Sequence, residues 1–119
     1  MPESEVLDQP TLAGLLDSLG GDVDFLKELV DAYLDSTPGL FAAMRQAAAA
    51  GDGAALQRAA HSLKTGSANM GALALAALCK QLEDMSKSGA LDGAETRIDT
   101  AAAAYDDVAA ALRDRVQVS

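Results

Sequence analysis

The chain has 119 residues and a formal net charge of −9, and half of its residues are apolar. That length suits one domain with one core and is short for two. The acidic balance repels a nucleic-acid backbone and an anionic membrane surface, which leaves proteins or small cations as partners. A single cysteine, Cys79, excludes an internal disulfide and fits a reducing compartment. The start, Met1-Pro2-Glu3-Ser4-Glu5, is acidic where a signal peptide is basic, and no apolar run reaches the length of a membrane span. A soluble, cytoplasmic domain is expected. Alanine and leucine dominate and aromatics are few (Phe25, Tyr33, Phe41 and Tyr105), a balance that favours close-packed helices over sheet.

Residues 1–9 show no periodicity and read as a flexible tail, with residues 10–119 forming the single domain. Together with Met1, that tail suits a chain that stands alone. Leu12, Leu15, Leu16 and Leu19 then recur at helical spacing between Pro10 and Gly20-Gly21, predicting a short amphipathic cap helix. Asp22 is an N-cap for a long arm over 22–50, whose inward stripe is Leu26, Leu29, Tyr33, Leu40, Met44 and Ala47. Thr37-Pro38 interrupts it. The stripe keeps its phase across the proline, so the sequence favours one helix kinked near Pro38 over two.

Gly51-Asp52-Gly53 ends the arm and caps the next helix, about 53–68, with Leu56, Ala60, Leu63 and Ser67 inward. After Asn69-Met70-Gly71, a helix over about 72–87 turns Leu75, Leu78, Cys79, Leu82 and Met85 to the core. Ser88-Gly89 closes it, and from Asp92 a last helix carries Ile98, Ala101, Tyr105, Val108 and Leu112. Short connections make successive helices antiparallel neighbours. The expected fold is all-α: an antiparallel up-down-up-down four-helix bundle with a short N-terminal cap helix.

Few residues are equipped for chemistry. No Gly-rich phosphate loop of either the Walker or the dinucleotide type is present. One histidine and one cysteine are poor material for a metal site, and no metal is expected. Cys79 lies in an apolar stripe, where a free cysteine behaves as a small core residue. His61, the only histidine, lies off the leucine stripe. Its same-face neighbours three and four residues away are Gln57, Arg58, Lys64 and Thr65, with Ala68 beyond. The ordinary explanation of a lone helical histidine is packing or surface filler. A phosphoryl acceptor is the sharper one. A neutral imidazole is nucleophilic near neutrality, since histidine ordinarily titrates at about 6.5. Lys64 and Arg58 would offset charge on the phosphoryl oxygens, and small neighbours leave room for a partner.

His61-Ser62-Leu63-Lys64-Thr65-Gly66-Ser67-Ala68-Asn69-Met70-Gly71-Ala72, followed by Leu78-Cys79-Lys80-Gln81-Leu82-Glu83, resembles the signature of histidine-containing phosphotransfer (HPt) domains. The similarity spans roughly residues 20–115, and it departs from the family pattern at Thr65, where a glycine is frequent. The resemblance implies a phosphorelay intermediate without kinase activity of its own. His61 would take a phosphoryl group through Nε2 from a receiver-domain aspartate and return it to another receiver, with Lys64 as electrostatic helper. Glu83 would accept a hydrogen bond from the other ring nitrogen and so orient it. Gly71 would allow the tight turn after the histidine helix, and Gln57, Arg58, Thr65, Ala68 and Gly71 would complete the binding set. This chain would bind no cofactor, the Mg²⁺ belonging to the receiver. Partners would be response-regulator receiver domains and a hybrid sensor histidine kinase, met by a monomer. Two other classes stay open on the sequence: a binding-only adaptor for receivers or kinases, and a phosphatase acting on a receiver's phosphate.

Overall fold

The computed structural model describes residues 6–117, which form five α-helices and no strand: α1 Gln9–Ser18, α2 Val23–Ala50, α3 Gly53–Asn69, α4 Leu73–Ser88 and α5 Ala94–Gln117. Aspartates open the first three. Asp8 accepts from Thr11 N at 3.1 Å, Asp22 from Phe25 N at 3.0 Å and Asp52 from Ala55 N at 3.1 Å. Each satisfies an amide that the first helical turn leaves without a partner.

The long helix α2 runs unbroken through Pro38. Its 28 residues match the 43 Å long axis of the molecule, since 1.5 Å per residue predicts roughly 42 Å. A proline inside a helix removes the amide that would bond the carbonyl four residues back. Here that carbonyl belongs to Leu34, and the Tyr105 hydroxyl of α5 donates to it at 3.4 Å. One residue earlier, the buried Thr37 hydroxyl donates to Tyr33 O at 2.6 Å. The proline's defect thus falls where side chains can repair the backbone, so the helix continues.

Helix α3 packs most extensively on α4; α2 lies against α3 and α5, α5 also against α4, and α1 touches α2 and α3. The core is the continuous cluster this arrangement encloses. Leu56, Ala60, Leu63 and Ser67 of α3 are buried as expected, and so are Ile98, Ala101, Tyr105, Val108 and Leu112 of α5. On α2 the stripe is rotated from the expected one: Val30, Thr37 and Phe41 are buried, while Leu29 and Leu40 are only half-buried. Leu78 and Met85 of α4 are likewise peripheral, their inward places held by Ala76, Glu83 and Ser86. Leucines and methionines wide of the seam can cover its edge, so identity alone does not separate core from margin.

The flexible tail expected over residues 1–9 needs correction at its end; residues 1–5 lie outside the described residues. Leu7 is buried in the core, Asp8 caps α1, and Asp8 N donates to Gly71 O at 2.8 Å. A single leucine has no periodicity to announce it. The contact also explains Gly71. At φ 79° this residue is in the left-handed region, and an added Cβ would sit 2.9 Å from Asp8 O and 3.2 Å from Asp8 N. Only glycine permits both the turn from α3 into α4 and the close passage of the N-terminal strand of chain.

Candidate functional site

The site lies on the seam of α3 and α4. His61 sits on the outer face of α3, off the buried Leu56–Ala60–Leu63–Ser67 stripe, and its side chain is 59% exposed. From α4, Glu83 projects toward it and is 5% exposed, the only charged side chain among the described buried residues. Glu83 Oε2 lies 2.9 Å from His61 Nδ1, and its Oε1 lies 2.5 Å from Lys64 Nζ. One carboxylate therefore serves two α3 side chains, three residues apart and on one face.

The Lys64 ammonium bond is the main force holding the Glu83 carboxyl below its ordinary value; burial opposes it, and the bond from His61 adds to it. An ionised carboxylate can only accept hydrogen bonds, so Nδ1 carries the proton and donates. That assignment leaves Nε2 as the unprotonated, nucleophilic nitrogen. Nε2 has no hydrogen-bond partner among the described residues, and the side chain as a whole is 59% exposed.

An open groove of about 520 Å³ lies beside the ring, lined by Ala54, Gln57, Arg58, His61, Ser62 and Glu83. Gln57, Arg58, His61 and Glu83 of the expected set are thus brought together. Lys64 reaches the same carboxylate from the other side, its side chain 29% exposed. Thr65 is exposed and Ala68 half-buried further along α3, and neither lines the groove. Gly71 was expected in the binding set and is not part of this surface. It is buried in the turn beneath Asp8, ten residues after His61, because its backbone conformation serves the fold. Ala54 and Ser62 were not anticipated. Ala54 sits two turns before the histidine, where a small apolar residue carries no chemical signal.

The floor beneath the site is closed. The buried Tyr33 and Ser67 hydroxyls bond at 2.7 Å, and the Tyr33 ring packs on Gly66, where a Cβ would be 3.3 Å away. Burial pushes the Tyr33 hydroxyl up to about 12 and the Cys79 thiol up to about 12, the latter despite the nearby Lys64 charge. Cys79 is fully buried in the core, and its raised thiol is held in the protonated form, the poorer nucleophile. Among the described residues no group of three or more His, Cys, Asp or Glu side chains is placed to hold a metal ion, and no helix is long and apolar enough to cross a membrane.

The site is thus a histidine presented to solvent on one helix and backed by a buried acceptor from the next. A family model, the Hpt domain, matches residues 28–115. The chain belongs to the Hpt domain family. The structure is similar to the crystal structure of histidine-containing phosphotransfer protein B (HptB) from Pseudomonas aeruginosa PAO1, with a TM-score of 0.88, 32% sequence identity and 96% of each chain covered. No curated protein sequence matches the chain. The Hpt match spans α2 to α5, so it contains His61, Lys64 and Glu83 and leaves out only α1 among the helices. Family membership makes this a histidine phosphotransfer protein of two-component signalling.

Proposed function

We propose that the chain is a phosphorelay intermediate that accepts a phosphoryl group on His61 from a receiver-domain aspartyl phosphate and delivers it to an aspartate of another receiver. The observation that carries this reading is the hydrogen bond from His61 Nδ1 to the buried Glu83 carboxylate, made by a ring whose other edge is open. The Nε2 lone pair attacks the phosphorus in line with the acyl oxygen. The Nε2–P bond forms as the P–O bond to the receiver breaks, and the receiver carboxylate departs with the electron pair. Nδ1 keeps its proton, so the phosphorylated ring is a cation, and the Glu83 carboxylate beside that N–H stabilises it. Run backwards, the same steps return the group to a receiver aspartate.

On this reading the Mg²⁺ and the remaining catalytic groups come with the receiver. The partners on this reading are receiver domains and a hybrid sensor kinase, and the chain acts as a monomer in the cytoplasm. An up-and-down antiparallel bundle of α2–α5 with α1 as its cap is supported by the neighbours named above. Gly53 at the start of α3, for example, lies against Ser86 near the end of α4.

Incubation with ³²P-labelled phosphorylated receivers tests the reading. Label should move to this chain, survive base and be lost in acid, and be absent from His61→Gln. Undiminished labelling of His61→Gln, or release of free phosphate with no labelled chain, would overturn it; the second result is that of a phosphatase.

A further inference from the structure

Two cations flank His61 in the sequence, and the structure gives them different surroundings. Lys64 is committed: its ammonium lies 2.5 Å from Oε1 of Glu83, the carboxylate whose Oε2 pairs with Nδ1 of the ring. Withdrawing it to follow a phosphoryl group would leave a carboxylate more than nine-tenths buried with one remaining donor. Arg58 is the opposite case. It is exposed, has no hydrogen-bond or ion-pair partner among the described residues, and lines the open groove with His61. None of Lys64, Thr65 or Ala68 lines that groove. Of the two cations, Arg58 is therefore the one that shares the open groove with the ring.

We infer that Arg58 is the side chain that meets the incoming phosphoryl group and its carrier, and that Lys64 is a positioning residue acting on His61 through Glu83. The inference rests on His61 being the phosphoacceptor. The guanidinium reaches the groove from one turn before the ring, and its planar fork of donors matches phosphoryl oxygens in pairs. In a chain of net charge −9 it supplies attraction where the anion must come closest. Lys64 instead keeps the buried carboxylate ionised. An ionised Glu83 holds the proton on Nδ1, and only that tautomer offers Nε2 unprotonated. No other charged group competes for Glu83. On its own helix Lys80 pairs with Asp84, and Lys87 one turn on is exposed; from α5 Arg97 donates to Gln81.

Two readouts on the full chain separate the roles. The first is the ¹⁵N spectrum of the His61 ring followed through pH, which needs no phosphate. At a pH where the ring is neutral, Lys64→Ala should shift it from the Nδ1–H toward the Nε2–H tautomer; Lys64→Arg should restore Nδ1–H, and Arg58→Ala should leave it in place. The second is the transfer rate from a phosphorylated receiver. Arg58→Ala should slow transfer by on the order of tenfold at limiting receiver and flatten its fall with salt, with Arg58→Lys recovering part. Lys64→Ala should slow transfer in step with its loss of the Nδ1–H tautomer, and Lys64→Arg should recover both. Parent-like transfer by Arg58→Ala, or a Lys64→Ala transfer defect with an unchanged ring spectrum, would overturn the inference. A parent chain that takes no label from any receiver overturns the functional reading and the Arg58 role with it, while the ring titration still decides Lys64.

Discussion

Glu83→Gln separates the charge of the central carboxylate from its shape. The glutamine carbonyl can still accept from Nδ1–H of His61, but its amide then faces Lys64 donor to donor. A hydrogen bond to a charged group is worth about 1.5–3 kcal/mol. Lys64 is 29% exposed and regains water when released, which discounts the loss to about 1–2 kcal/mol. At about 4 °C per kcal/mol for a chain this size, Tm at neutral pH should fall by roughly 4–8 °C. The pH dependence is a sharper mark than the size. The folded carboxyl sits below its unfolded value of about 4.3, so its stabilisation is present above that value and is lost as pH falls through the folded one. The gap between parent and variant should hold from about pH 8 to about pH 5 and close in acid. Thermal melts followed by far-UV circular dichroism across that range measure both. Equal Tm values at pH 7, or a gap that persists unchanged in acid, would refute an ionised Glu83 held by Lys64.

Three further outcomes follow from the scaffold. Gly71→Ala should cost about 2–3 kcal/mol in urea unfolding, from the left-handed φ together with displacement of Asp8; a loss below about 0.5 kcal/mol would mean the N-terminal contact is dispensable. Tyr105→Phe should cost about 0.5–1 kcal/mol, because the Leu34 carbonyl loses its donor. That coupling should vanish in a Pro38→Ala background, where the helix amide returns, and a double-mutant cycle measures it. Ile98→Ala, at a fully buried position of α5, should cost about 2–5 kcal/mol by the same unfolding assay. Its transfer rate per folded molecule should stay at the parent value, since α5 contributes nothing to the groove.

The local features were legible in the chain because they rest on short-range rules. Asp22 and Asp52 announce helix starts by their chemistry, and the α3 and α5 stripes by three- and four-residue steps, and these are the elements observed. The same steps set His61 off the core with Gln57 and Arg58 beside it, which is where the groove lies. What lay beyond those rules required one helix to meet another. Glu83 looks like any helical carboxylate until α4 packs on α3 and buries it against His61 and Lys64. Lys64 and Arg58 are symmetric about the histidine in sequence, and only that packing makes one a tether and leaves the other open to solvent. Leu7, Gly71 and the Tyr105 repair of the proline gap are of the same kind. The Asp8–Gly71 and Leu34–Tyr105 contacts join residues 63 and 71 apart in the chain, separations over which helical periodicity says nothing. Residue type and spacing determined the helices and the face that carries the histidine. Tertiary contact decided which ring nitrogen is held by Glu83, and which of the two flanking cations is tethered with it.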